Sequence, residues 1–318
     1  MSSLLDPARA GRPVYKAALC IGINYIGQEG AELQGCVRDA HNMHALYTEH
    51  IGISAKDIIF MVDDAEDDSH FPNLRSPTGS NMMQALLELC ALTYQHPELE
   101  EVWINYSGHG SYLRVDEVQH VEGVDAETED DGRHETLVPV DWQEGGMIID
   151  DMLNHVLGGM RPDMKNPKTG RVSPGVRVVL VVDACHSETA FDLRYKYISG
   201  NKNRVENPHC KVQTDIVMIS GCRDDQTAAD AAFGPAQEYA GAMTTALLFA
   251  LDESNYTIHC YTLLKRMRAF LRSKRFKQRP QITCSKPLDR TTMLMCYNLR
   301  AFSKPIPMAA LVDKEESQ

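Results

Sequence analysis

Nowhere in this sequence do eighteen apolar residues run together, so no stretch can cross a bilayer as a single helix. CxxC pairs are missing as well. Nine cysteines are scattered singly, with Cys20, Cys36 and Cys90 inside apolar stretches. That usage gives neither a disulfide framework nor a zinc spacing, and it fits reduced, intracellular thiols. Positive charge is in deficit, with 32 Lys and Arg against 44 Asp and Glu and a formal net charge of -12. Nucleic acid and anionic membrane are therefore disfavoured as partners, and basic substrates are favoured. The opening MSSLLDPARAG has no apolar core of signal-peptide length and no Gly after Met for a myristoyl group. A soluble, cytoplasmic protein is the expectation. No internal repeat is present, and 318 residues at 43% hydrophobic composition suffice for one large α/β core or two modest ones.

What the sequence does have is concentrated at residues 176–187, VRVVLVVDACHS. A continuous β-branched run is the pattern of a strand buried on both faces of a parallel sheet. Reactive side chains placed directly after it lie at the carboxyl edge, where open α/β sheets keep their ligand sites. Residues 17–24, 57–62, 101–106 and 215–220 read as further strands, and helical spacing marks 35–51, 81–94, 147–157, 240–251 and 261–272. Thr78 or Ser80 is available to cap the second helix. Residues 281–284 and 292–296 are expected as closing edge strands. The alternation predicts an α/β fold with a mostly parallel central sheet flanked by helices on both faces. Residues 1–14 are expected as a flexible leader, 113–135 and 162–175 as polar loops, 196–213 as a basic, irregular linker, and 303–318 as a polar tail.

Ser107, Gly108, His109 and Gly110 follow one strand as Cys185 follows another, so both reactive groups are expected at the same sheet edge. A thiol is a weak nucleophile until it is a thiolate, and a neighbouring imidazole shifts that equilibrium near neutral pH. Glycine on both sides of His109 lets backbone approach a substrate closely. The N–H groups of Gly110 and Cys185 would then form an oxyanion pair, each donor worth roughly 3–4 kcal/mol in comparable hydrolases. A cysteine phosphatase would require a glycine-rich loop with Arg close behind the Cys; here the next Arg is Arg194, with no glycine between.

The motifs YSGHG (residues 106–110) and DACHS (183–187) resemble the catalytic motifs of the metacaspases. The similarity extends through IGINY, LQGCVRDA, LVPVD, ISGCRDDQTAAD and PQITCSKPLD, from about residue 17 to 289. The resemblance implies a caspase-like sandwich, with a large-subunit-like catalytic region at 15–195, a linker at 196–213 and a small-subunit-like region at 214–302. It suggests a monomer with a short connector closer to the type I layout than to type II, although the type I layout's Pro-rich or zinc-finger prodomain is not expected here. The implied activity is endopeptidase cleavage of proteins or peptides after Arg or Lys, with Cys185 as nucleophile and His109 as base. Asp39, Ser107 and Asp183 match the pocket that reads the basic side chain. A catalytically silent scaffold of the same fold is the alternative.

Calcium is the cofactor that the resemblance implies. Asp150, Asp151 and Asp192 match three of the family's aspartates, but His134 stands at the fourth position. A histidine supplies no hard oxygen, so a weakened or altered calcium site is expected, with Asp130, Asp131 or Glu135 as substitute ligands. Glu188 replaces the glycine usual after the DACHS serine and would narrow the cleft mouth. Self-cleavage is expected near Lys196, Lys202 or Arg204.

Overall fold

The computed structural model describes residues 15–64, 70–114, 133–184, 191–221, 230–233 and 238–295. The chain begins with β1 (Tyr15–Gly22) and α1 (Cys36–Ala45), which runs on into a π-helical turn (Leu46–Ile51). Next come β2 (Ile58–Val62), β3 (Leu74–Arg75), α2 (Gly79–Gln95), β4 (Leu99–Ser107), β5 (Gly110–Arg114) and β6 (Arg133–Leu137). The chain continues through α3 (Trp142–Gly145), β7 (Ile148–Ile149), α4 (Asp150–Gly158), β8 (Met164–Lys165), β9 (Val172–Ser173) and β10 (Arg177–Asp183). It closes with β11 (Tyr195–Ser199), β12 (Lys202–Val205), β13 (Asp215–Ser220), β14 (Asp230–Phe233), β15 (Glu238–Gly241), α5 (Ala242–Asp252), α6 (Cys260–Ser273) and β16 (Gln281–Cys284).

Nine strands make one sheet in the order β12-β11-β16-β13-β10-β4-β1-β2-β3. The strands from β13 to β3 run parallel, and β16, β11 and β12 are added antiparallel. The central strand β10 shows why the valine run was informative. Val178, Leu180 and Val182 enter the core beneath α2 and α4, while Val179 and Val181 enter the core beneath α1, α5 and α6. None of the five is more than 2% exposed, as a strand covered on both faces requires.

Two helices start where side chains supply caps. Thr78 Oγ1 accepts from the Asn81 N–H at the start of α2. Gly35 can offer α1 no side chain, so Asn24, just beyond β1, does it from a distance: its Oδ1 accepts from the N–H groups of Cys36 (3.0 Å) and Val37 (3.3 Å).

Four stretches differ from the sequence expectation. The ends of 113–135, expected as a polar loop, belong to the paired strands β5 and β6, whose polar residues His134 and Glu135 are buried in spite of their composition. Residues 196–213 contain most of the β11–β12 hairpin, an integral part of the large sheet, instead of an irregular linker. Its polar composition hid a buried anchor, Tyr197, and a paired one, Asn203, whose side chain donates to the Leu288 carbonyl and accepts from the Leu288 N–H. The loop at 162–175 carries the short β8–β9 hairpin. At 292–296 the described residues form only a single bridge, Met293 to His259. No helix among the described residues is long and apolar enough to cross a membrane.

Candidate active site

Strand register sets up the site. Ser107, the last residue of β4, pairs with Asp183, the last of β10, and the Gly108 N–H donates to the Asp183 carbonyl at 3.4 Å. The two motifs therefore leave the sheet side by side. Cys185 and Glu188 lie outside the described residues.

His109 is fixed on every side by groups the sequence did not single out. Two tyrosines hold its backbone: its N–H donates to the Tyr25 hydroxyl at 2.9 Å, and the Tyr106 hydroxyl donates to its carbonyl at 2.6 Å. Tyr25 in turn donates to the Val138 carbonyl at 2.7 Å, and its ring lies 4.7 Å from the imidazole. Burial first, and then the neighbouring Tyr106 hydroxyl, push the Tyr25 phenol well above its ordinary range, so it remains a donor. Gly108 is required by this packing, because a Cβ there would come within 2.8 Å of the Tyr106 hydroxyl and 3.0 Å of that of Tyr25.

The imidazole itself is oriented by Nε2, 2.8 Å from the Ala31 carbonyl. A carbonyl only accepts, so in the neutral ring Nε2 carries the proton and Nδ1 is the proton acceptor. Beyond His109, Gly110 and Leu137 face each other in the β5–β6 ladder, and the adjacent bond runs from the Val138 N–H to the His109 carbonyl. That makes Gly110 and Leu137 a non-hydrogen-bonded pair, whose N–H and C=O groups point away from the partner strand. The Gly110 N–H is thus turned out of the ladder. Five of the six thiols in the described residues are unsuited to nucleophilic work. Burial raises Cys20, Cys90 and Cys210, and it pushes Cys260 and Cys284 up to about 12.

Asp39 and Asp183 converge on the N-terminus of α5. Both carboxylate oxygens of Asp39 accept from the Gly241 N–H, at 2.9 and 3.1 Å. Oδ2 of Asp183 accepts from the Thr244 N–H at 3.0 Å and from its hydroxyl at 3.1 Å. The helix dipole and exposed N–H groups of the first turn favour such anions. The two oxygens are so close that a Cβ on Gly241 would collide with both. Ser107 lies on the same sheet face as its neighbour Asp183; its Oγ is buried and has no hydrogen-bond partner among the described residues.

Of the residues expected to hold metal, the structure brings together Asp150 and Asp151, at the start of α4, with His134 on β6. Asp192 does not join them; it stands at a positive φ of 42°, where the described chain resumes after residue 190. Glu135 contributes its backbone N–H to Asp150 Oδ2 at 3.1 Å, while Asp130 and Asp131 fall outside the described residues.

The sequence reading missed Tyr25, Tyr106 and Ala31. Tyr25 closes the motif IGINY and Tyr106 opens YSGHG, which was the available signal; the Ala31 carbonyl is a backbone group and leaves none.

Known proteins resemble this chain. A family model described as the metacaspase, peptidase C14 domain matches residues 16–194. Metacaspase-1 of Kluyveromyces lactis is 31% identical, across 86% of this chain and 67% of that protein. Metacaspase-1 of Cryptococcus neoformans var. neoformans is 29% identical, across 88% of this chain and 65% of that protein. Metacaspase-1A of Neurospora crassa is 29% identical, across 86% and 63%. The chain thus spans about two thirds of the length of these curated relatives. A crystal structure of a Geobacter sulfurreducens protein superposes with a TM-score of 0.53 at 20% identity, covering 88% of this chain and all of that one, a likeness of fold.

Proposed function

The chain belongs to the metacaspase family of C14 peptidases, and from that premise we propose that it is a cysteine endopeptidase cleaving after Arg or Lys. The observation that carries the reading is the setting of His109. Its Nε2 is committed to the Ala31 carbonyl, its Nδ1 is left as base, and its loop leaves the sheet in register with the segment leading to Cys185. In the proposed reaction the Cys185 thiol gives its proton to Nδ1, and the thiolate attacks the carbonyl carbon of the scissile bond. The resulting oxyanion is met by the N–H groups of Gly110 and Cys185. Collapse expels the amine, which takes the proton from His109 and leaves an acyl-enzyme. Water, deprotonated by the same imidazole, then releases the acid and restores the thiol.

Two carboxylates, Asp39 and Asp183, give the cleft the charge that suits a guanidinium or ammonium, and Ser107 adds a buried hydroxyl. Calcium has no place in these steps. Among the described residues the clustered side chains offer two carboxylates and one imidazole, whereas calcium takes six to eight oxygens. The test is a fluorogenic peptide ending in Arg. Cys185→Ala is expected to abolish its cleavage, and a variant retaining the wild-type rate would sink the assignment.

A further inference from the structure

The proposed peptidase chemistry makes no use of His134, Asp150 and Asp151. Each presents one ligand atom, and all three atoms lie within 4.8 Å of one another. His134 and Asp150 are fully buried, and the Asp151 side chain is 18% exposed. Nδ1 of His134 lies 3.7 Å from Oδ1 of Asp150 and 3.5 Å from Oδ2 of Asp151. Both separations are too long for hydrogen bonds. They are close to the roughly 3.4 Å spanned by two ligands on one tetrahedral ion at about 2.1 Å.

The carboxylate of Asp150 is also aimed by two backbone N–H groups. The Glu135 N–H donates to its Oδ2 at 3.1 Å, and the Asp151 N–H to its Oδ1 at 2.9 Å. Outer hydrogen bonds of this kind fix a ligating carboxylate. The donor chemistry then selects the ion. Calcium prefers a shell of hard oxygens, and an imidazole supplies nitrogen instead. Zinc accepts imidazole nitrogen together with carboxylate oxygen, often from three protein ligands plus water.

The geometry points to a site for a divalent transition ion of the zinc class, with His134, Asp150 and Asp151 as its protein ligands. An ion there ties β6 to α4. β6 pairs with β5, which begins one residue after His109. α4 reaches the other side of the site, since Asn154 Nδ2 donates to the Phe191 carbonyl at 3.2 Å. Occupancy therefore stiffens both approaches to the catalytic edge. The inference stands apart from the peptidase reading, because its readout is binding by a chain that cannot cleave.

The experiment is calorimetric titration of the full chain carrying Cys185→Ala, under reducing conditions, with zinc, manganese and calcium chlorides in parallel. Zinc is expected to saturate one site per chain, at least about tenfold more tightly than calcium, and to raise Tm. His134→Asp is expected to weaken zinc by more than about tenfold and to improve calcium binding. Asp151→Asn alters a partly exposed residue, so it tests the site with little risk to folding; it too should weaken zinc while leaving the circular dichroism unchanged. Calcium binding as tight as zinc, no saturable zinc site, or zinc affinity unchanged in both variants would each overturn the inference, the last by assigning the ion to cysteine thiols.

Discussion

Asp39 and Asp183 meet at the start of α5, whereas Asp150 and Asp151 are themselves the start of α4. Both pairs use a helix N-terminus to support negative charge. The first pair is assembled from two distant elements, α1 and β10, and is gripped by the N–H of Gly241, just before α5, and that of Thr244 in its first turn. The second is consecutive in sequence and faces an imidazole at 3.5 and 3.7 Å. A helix dipole makes a pair of carboxylates tolerable, but the third group decides what they are for. A buried hydroxyl beside two anions suits a visiting cation; a buried imidazole completes a ligand set.

The strongest test of that contrast exchanges carboxylates at the two places. Asp183→Asn or Asp39→Asn is expected to lower kcat/KM for Arg-ended peptides by about 10- to 100-fold, from about 1.5–3 kcal/mol per charged hydrogen bond. Asp151→Asn should leave the preference for Arg over an uncharged residue unchanged, and an equal loss of preference would erase the distinction. Next in size, Gly241→Ala places a methyl group against the carboxylates of Asp39 and Asp183 and is expected to destabilise the fold by about 1–3 kcal/mol, read in urea unfolding. It should also reduce Arg cleavage, since the carboxylates must move.

Tyr25→Phe probes the stretch of chain that connects the two places, since the β5–β6 hairpin runs from His109 to His134. Loss of the hydroxyl should cost about 1–2 kcal/mol of stability and lower kcat with little change in KM. A fall in KM-limited binding alone would mean that Tyr25 does not position the base.

The smallest effect lies outside both carboxylate pairs and sets their background. Burial, together with His41, lowers His44 below its ordinary 6.5, and burial outweighs Glu49 and Asp252 to lower His50, which stacks on Tyr256 at 4.0 Å. Between the lowered and the ordinary value the unfolded chain binds more protons, so stability is complete above about 6.5 and declines as pH falls through it. His50→Phe keeps the stack and should flatten the decline in Tm between pH 7 and pH 5.

Much of this was legible from residue pattern. Strands 215–220 and 281–284 were read with their observed limits, and the valines of β10 announced a strand covered on both faces. Thr78 was identifiable as a cap because it acts on its own helix. Asn24 was not, because it acts across twelve positions on a helix whose own cap residue is Gly35. The same rule separates the parts of the site. His109 carries its chemistry in its side chain and was visible; the Ala31 carbonyl that sets its tautomer has no sequence signature. Asp39 and Asp183 could be suggested only by resemblance, since nothing local shows that α5 draws them together. The β11–β12 hairpin was hidden for the opposite reason: it ends the sheet, and all of its strand residues but Tyr197 reach water, so it carries the composition of a loop.

That hairpin makes the positions of the basic residues mechanically unequal. Lys196 is laced on both flanks, to Thr283 of β16 and to Arg204 of β12, so presenting its peptide bond to another active site means unzipping two ladders. Lys202 begins the outermost strand, directly after the turn at Gly200. A cut beside it falls at the hairpin bend and leaves each severed end still stitched into the sheet. Nicking there would change the covalent chain while leaving the architecture standing, whereas nicking at Lys196 would require the architecture to yield first.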